Sequence, residues 1–70
     1  MDIEKGYISH FTYKSADESF AVFELVTDDE RVVCVGSARG FGEGEMVEVS
    51  GEYVVHPLYN RQLKVSSLRR

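Results

Sequence analysis

Val47-Glu48-Val49-Ser50-Gly51-Glu52-Tyr53-Val54-Val55-His56-Pro57-Leu58-Tyr59-Asn60-Arg61-Gln62-Leu63-Lys64-Val65 is the stretch that decides the fold class. Val47, Val49, Tyr53 and Val55 share one parity, and Glu48, Ser50 and Glu52 share the other. A period of two is the signature of a strand with one buried and one solvated face. Gly51 interrupts it where a bulge or bend is expected. Pro57 ends the strand, and Asn60 tolerates the left-handed conformation that a tight turn needs. The run from 61 to 68 is then the returning strand. A hairpin centred on 56–60 follows.

Outward from this hairpin the same grammar repeats. A run at 6–14 places Tyr7, Phe11 and Tyr13 on one parity and Ile8 and Thr12 on the other. Ser15 to Ser19 is polar and reads as a loop. The run at 20–26 is Phe-Ala-Val-Phe-Glu-Leu-Val, and Thr27-Asp28-Asp29-Glu30 is the next turn. The run at 31–36 holds Val32, Val33, Cys34 and Val35, an unbroken apolar stretch that predicts a strand covered on both faces. Segment 37–45 contains Gly40, Gly42 and Gly44, too much glycine for a stable helix. Five short strands in meander-like order, with no helices to cover them, must close on themselves or leave bare edges. The expectation is an all-β, five-stranded OB-like barrel, with an SH3-like barrel as the alternative.

The chain has 70 residues, which is one domain. Its twelve acids and eight bases leave a net charge of −4, against the basic excess usual in nucleic-acid binders. Any DNA affinity must come from local patches and stacking, and should be weak and salt-sensitive. Cys34 is the only cysteine, which excludes an internal disulfide and a cysteine-rich metal centre. No signal peptide and no apolar run of membrane-spanning length is visible, so a cytoplasmic setting away from membranes is expected.

The opening stretch resembles the pattern G-[EW]-[WY]-x-x-H-P-x-Y-G-x-Q-F-x-V near the start of bacterial RecD-like DNA helicases. These are the RecD/TraA type, or exodeoxyribonuclease V alpha subunit. Phe20-Ala21-Val22-Phe23 resembles the family's G-F-T-V-L strand, and Val35-Gly36 with Gly44-Glu45 resembles its V-G-x…x-G-E segment. The likeness runs from about Tyr7 to Leu68. Asn60 replaces the family's usual Gly and keeps turn chemistry, whereas Leu63 replaces its usual Phe and removes an aromatic. The resemblance implies an N-terminal OB-type accessory domain spanning 1–70. Its parent would be an ATP-dependent 5′-to-3′ helicase working with Mg in DNA repair and recombination. Such a motor needs a phosphate loop of the type G-x-x-x-x-G-K-[ST]. Gly40-Phe41-Gly42-Glu43-Gly44 is no substitute, because no Lys-Ser/Thr follows it and Glu43 and Glu45 would repel phosphate. No cofactor and no catalytic residue is therefore expected within this chain.

Candidate contacts to single-stranded DNA are Tyr13, Lys14, Arg39, His56, Tyr59, Arg61 and Lys64. OB-type barrels stack bases on surface aromatics while cations track the phosphates. The competing reading packs Tyr13 and Tyr59 at strand ends, gives His56 a turn role beside Pro57, and leaves the basic residues solvated. His10, His56 and Cys34 show no ligand spacing for a metal. Cys34 reads as a small buried hydrophobe. Two functions stay open: a DNA-placing module, or a packing module that docks on the other helicase domains or on a single-strand-binding protein.

Overall fold

The apolar runs form five strands: β1 (Asp2–Lys14), β2 (Ala21–Val26), β3 (Arg31–Gly36), β4 (Met46–His56) and β5 (Asn60–Arg69). A computed structural model describes residues 1–58 and 60–70, with His56 described by its backbone alone. The strands close into a barrel in the order β1-β2-β3-β5-β4, with β4 returning to β1. All pairs are antiparallel except β3 with β5, where Cys34 aligns with Leu63 and Val35 with Lys64. That parallel pair corrects the meander-like order read from the sequence. It also decides between the two barrels, because the crossover from β3 past β4 to β5 is a Greek-key connection, as in the OB fold.

Ile8, Phe23, Leu25, Leu63, Val49 and Cys34 are fully buried, and Ala21, Val32, Ala38 and Val47 complete the core. In β2 the parity is regular: Ala21, Phe23 and Leu25 point inward. In β1 it is not. Ile8 is buried and Phe11 packs on the core, although they sit on opposite parities. Register shifts between Ile8 and His10 and between Phe11 and Tyr13 absorb the extra residues. Bulges of this kind let one long strand bend round a barrel corner. β3 is not covered on both faces: Val32 and Cys34 face the core, while Val33 is 37% exposed.

Segment 37–45 is a loop that serves as a plug. Ala38 is buried and Phe41 packs against the core. Gly44 N–H donates to the Ile8 carbonyl at 2.7 Å, and Ile8 N–H donates to the Glu45 carbonyl at 3.0 Å. These bonds satisfy the backbone of β1 beside its first bulge. The register of β4 on β5 shifts between Ser50 and Gly51, as the glycine predicts. Asn60 closes the hairpin with φ of 67°, the left-handed turn expected of it.

Candidate nucleic-acid interface

The barrel divides the predicted contact residues into two groups. Tyr13 and Lys14 end β1 opposite Val22 and Ala21, beside the β1–β2 loop. Arg61 begins β5 at the opposite end, beside the β2–β3 turn, where it meets Glu30. The six residues of β2 separate the two ends by on the order of 17 Å. Lys64 is exposed on the outer face of β5 in the same register row as Tyr13, reached from it through Val22 and Val35, with Glu52 on its other side. Tyr59 and the side chain of His56 lie outside the described residues.

At the first end the β1–β2 loop is closed by side-chain hydrogen bonds. The Asp17 carboxylate accepts hydrogen bonds from Ser19 Oγ (2.7 Å), Ser19 N–H (3.0 Å) and Ser15 Oγ (3.0 Å). Those bonds, the Ser19 hydroxyl foremost, hold its carboxyl below the ordinary range. Arg39, from the β3–β4 loop, donates to the Asp17 carbonyl at 2.9 Å, which brings its guanidinium to this loop. Lys14 Nζ sits 4.2 Å above the Phe11 ring and 4.0 Å from Glu18.

Phe20 completes the cluster, and the sequence reading missed it. Its ring lies 6.0 Å from that of Tyr13 at 52°, and the two are 44% and 54% exposed. Its place outside the core was legible in the run at 20–26. Glu24 marks the solvated parity, and Phe20 shares it. The exposed Tyr13–Phe20 pair thus shares this end of the barrel with two cations, Lys14 over Phe11 and Arg39 on the β1–β2 loop, the composition that stacks bases and meets phosphates.

At the second end Arg61 is held by two partners while its side chain stays half exposed. Its guanidinium lies 4.3 Å over the Tyr53 ring and 2.8 Å from Glu30. Tyr53 donates its hydroxyl to Glu4 at 2.7 Å. Burial, and then the bond to Glu4 and its charge, push the Tyr53 phenol up. Between the ends, Thr12, Val22, Val33 and Gln62 line a shallow groove of about 400 Å³ on the outer sheet face. These two valines, a threonine and a glutamine offer no ring for a base.

The glycine-rich loop does not fit a nucleotide phosphate. Phe41 N–H is bonded to the Ala38 carbonyl, Gly42 N–H to Glu45 and Gly44 N–H to Ile8, so three of its amides are already engaged. Glu43 bonds the β1 amide of Phe11. Among the described residues no group of three His, Cys, Asp or Glu could hold a metal ion.

Comparison with known families matches residues 1–70 to the family described as ATP-dependent DNA helicase YrrC, OB-fold domain. Neither the curated proteins nor the solved structures gave a match. The strand order, the bulged β1 and the family match agree, and the chain belongs to the OB-fold domain family of the ATP-dependent DNA helicase YrrC.

Proposed function

We propose that this helicase-associated module makes a weak contact to single-stranded DNA at the β1–β2 end of the barrel, helping to place the strand for a motor carried elsewhere. The observation that carries the reading is the exposed Tyr13–Phe20 ring pair at the end of the barrel that also holds Lys14 and Arg39. Stacking on each ring is worth about 1–3 kcal/mol per base and tolerates any sequence. The parent is read as a RecD-like, exodeoxyribonuclease V alpha-type helicase. It would bind ATP and Mg in its motor, unwind DNA 5′ to 3′, and act in the cytoplasm in repair and recombination. A single-strand-binding protein is a further partner consistent with this role.

The test is fluorescence anisotropy of a labelled oligo-dT titrated with the domain at low and then moderate salt. Tyr13→Ala and Phe20→Ala should each weaken binding roughly fivefold or more, from the stacking range above. Undetectable binding of the unaltered domain at low salt sinks the proposal. A second reading, packing against other protein, is favoured by charge compensation: Lys5, Lys14, Arg31, Arg61, Arg69 and Arg70 each have a carboxylate within ion-pair distance.

A further inference from the structure

The β4–β5 hairpin outgrows the barrel. The ladder between β1 and β4 stops at Asp2 with Gly51. From Glu52 onward β4 pairs with β5 alone, through Tyr53 with Leu63, Val54 with Gln62 and Val55 with Arg61. Leu63 and Lys64, the partners of Tyr53 and Glu52, still pair with β3, so the free part of this two-stranded arm starts at Val54 and reaches on the order of 10 Å past Tyr53. Its surface is apolar where solvent is most accessible: Val55 is 83% exposed, Leu58 79% and Val54 43%. Val54 and Val55 lie on opposite faces of the hairpin, with Leu58 in its turn, so aliphatic surface is exposed on both sides of the tip, the mark of a segment that inserts into something else.

The surroundings say what kind of surface covers it. The Arg61–Glu30 pair draws the β2–β3 turn against the root of the arm, so Asp28, Asp29 and Glu30 border it. Arg61 is already neutralised by Glu30 and capped by Tyr53, and Lys64, which lines a groove with Val54, sits opposite Glu52. A phosphate backbone would be repelled here. A protein surface with an apolar cleft and a rim of Lys or Arg is the complement. Polypeptide that grips DNA presents such cationic surface.

We infer that the β4–β5 arm docks, by Val54, Val55 and Leu58, into an apolar cleft with a basic rim on the DNA-gripping part of the helicase, the Asp28–Asp29–Glu30 turn pairing with that rim. The inference is independent of the DNA contact proposed above, which lies at the opposite end of the barrel.

The test uses the helicase polypeptide that carries this domain, with Val55→Cys introduced and a short thiol-to-amine cross-linker applied. Cys34 is fully buried, so the background reaction is low. Cross-linked peptides joining position 55 to lysines outside the barrel are expected. Adding Asp28→Lys with Asp29→Lys should cut their yield at least fivefold. Ser37→Cys, exposed in the loop after β3 at the far end of the barrel, should not give these products. Cross-links confined to the barrel, to a second copy of the domain, or seen only when amine-modified DNA is supplied would each overturn the inference, as would a yield unchanged by the charge reversal.

Discussion

Cys34 shows how far burial alone sets chemistry at the residue scale. Its thiol is fully enclosed by the core, and that desolvation, with the Glu4 charge second, pushes it up to about 12 from an ordinary value of 9.0. The thiolate is the nucleophile, so Cys34 is inert while the barrel is folded. The unfolded chain releases this proton from about pH 9, whereas the folded chain holds it until about pH 12. The stability is intact below pH 9 and drains away as the pH rises through that window, by on the order of 4 kcal/mol. Urea unfolding at a series of alkaline pH values measures it, and Cys34→Ala should remove that part of the slope. Gly51 makes the second prediction at this scale. A Cβ there would run into the Lys64 carbonyl oxygen across the bulge, and a backbone atom cannot swing aside. Gly51→Ala should cost about 2 kcal/mol, read as a lower urea midpoint with an unchanged slope.

At the scale of the element, the Glu4–Tyr53–Arg61–Glu30 chain ties β1, β4, β5 and the β2–β3 turn together at one barrel end. Tyr53→Phe keeps the ring under Arg61 but leaves Glu4 without its donor. A hydrogen bond to a charged group at a half-buried site predicts a loss of about 1–2 kcal/mol in chemical denaturation. The hairpin that holds Tyr53 was legible because local rules wrote it: alternation, a glycine at the bulge, and Pro57 and Asn60 in the turn. β1 was only half legible. Its two bulges change parity within the strand, so Ile8 and Phe11 both reach the core, and no residue between them announces the shift. β3 misled for the opposite reason. Its four apolar residues in a row concealed that Val33 looks out into the groove beside Gln62. The pairing of β3 with β5 joins residues about thirty positions apart, and local periodicity carries no record of that partner. The candidate site divides in the same way. Tyr13 and Lys14 were readable as aromatic and cation at a strand end, whereas the approach of Arg39 depends on a hydrogen bond from a distant loop.

For the whole molecule the deciding quantity is how much positive charge remains for a polyanion. The chain carries −4, and six of its eight Lys and Arg side chains already face carboxylates. Exposed pairs of this kind contribute little to stability, so their main effect is to lower the field a phosphate meets. At the Tyr13–Phe20 end, Arg39 is held by a carbonyl rather than a carboxylate, and Lys14 meets Glu18 only at 4.0 Å. Two cations are therefore open to phosphate exchange there. Each phosphate neutralised on a single strand lowers log K with a slope of about 0.7 against log salt, so two predict a slope near −1.4. Anisotropy titrations at three or four salt concentrations measure this directly. Arg39→Ala should shallow the slope by about 0.7, while Tyr13→Ala should weaken binding at every salt concentration and leave the slope unchanged. A slope near −3 or steeper would mean that Arg61 and Lys64 join the contact. The strand would then cross the groove lined by Thr12, Val22, Val33 and Gln62 toward the other end of the barrel, and Glu30 would have to release Arg61 to let it pass.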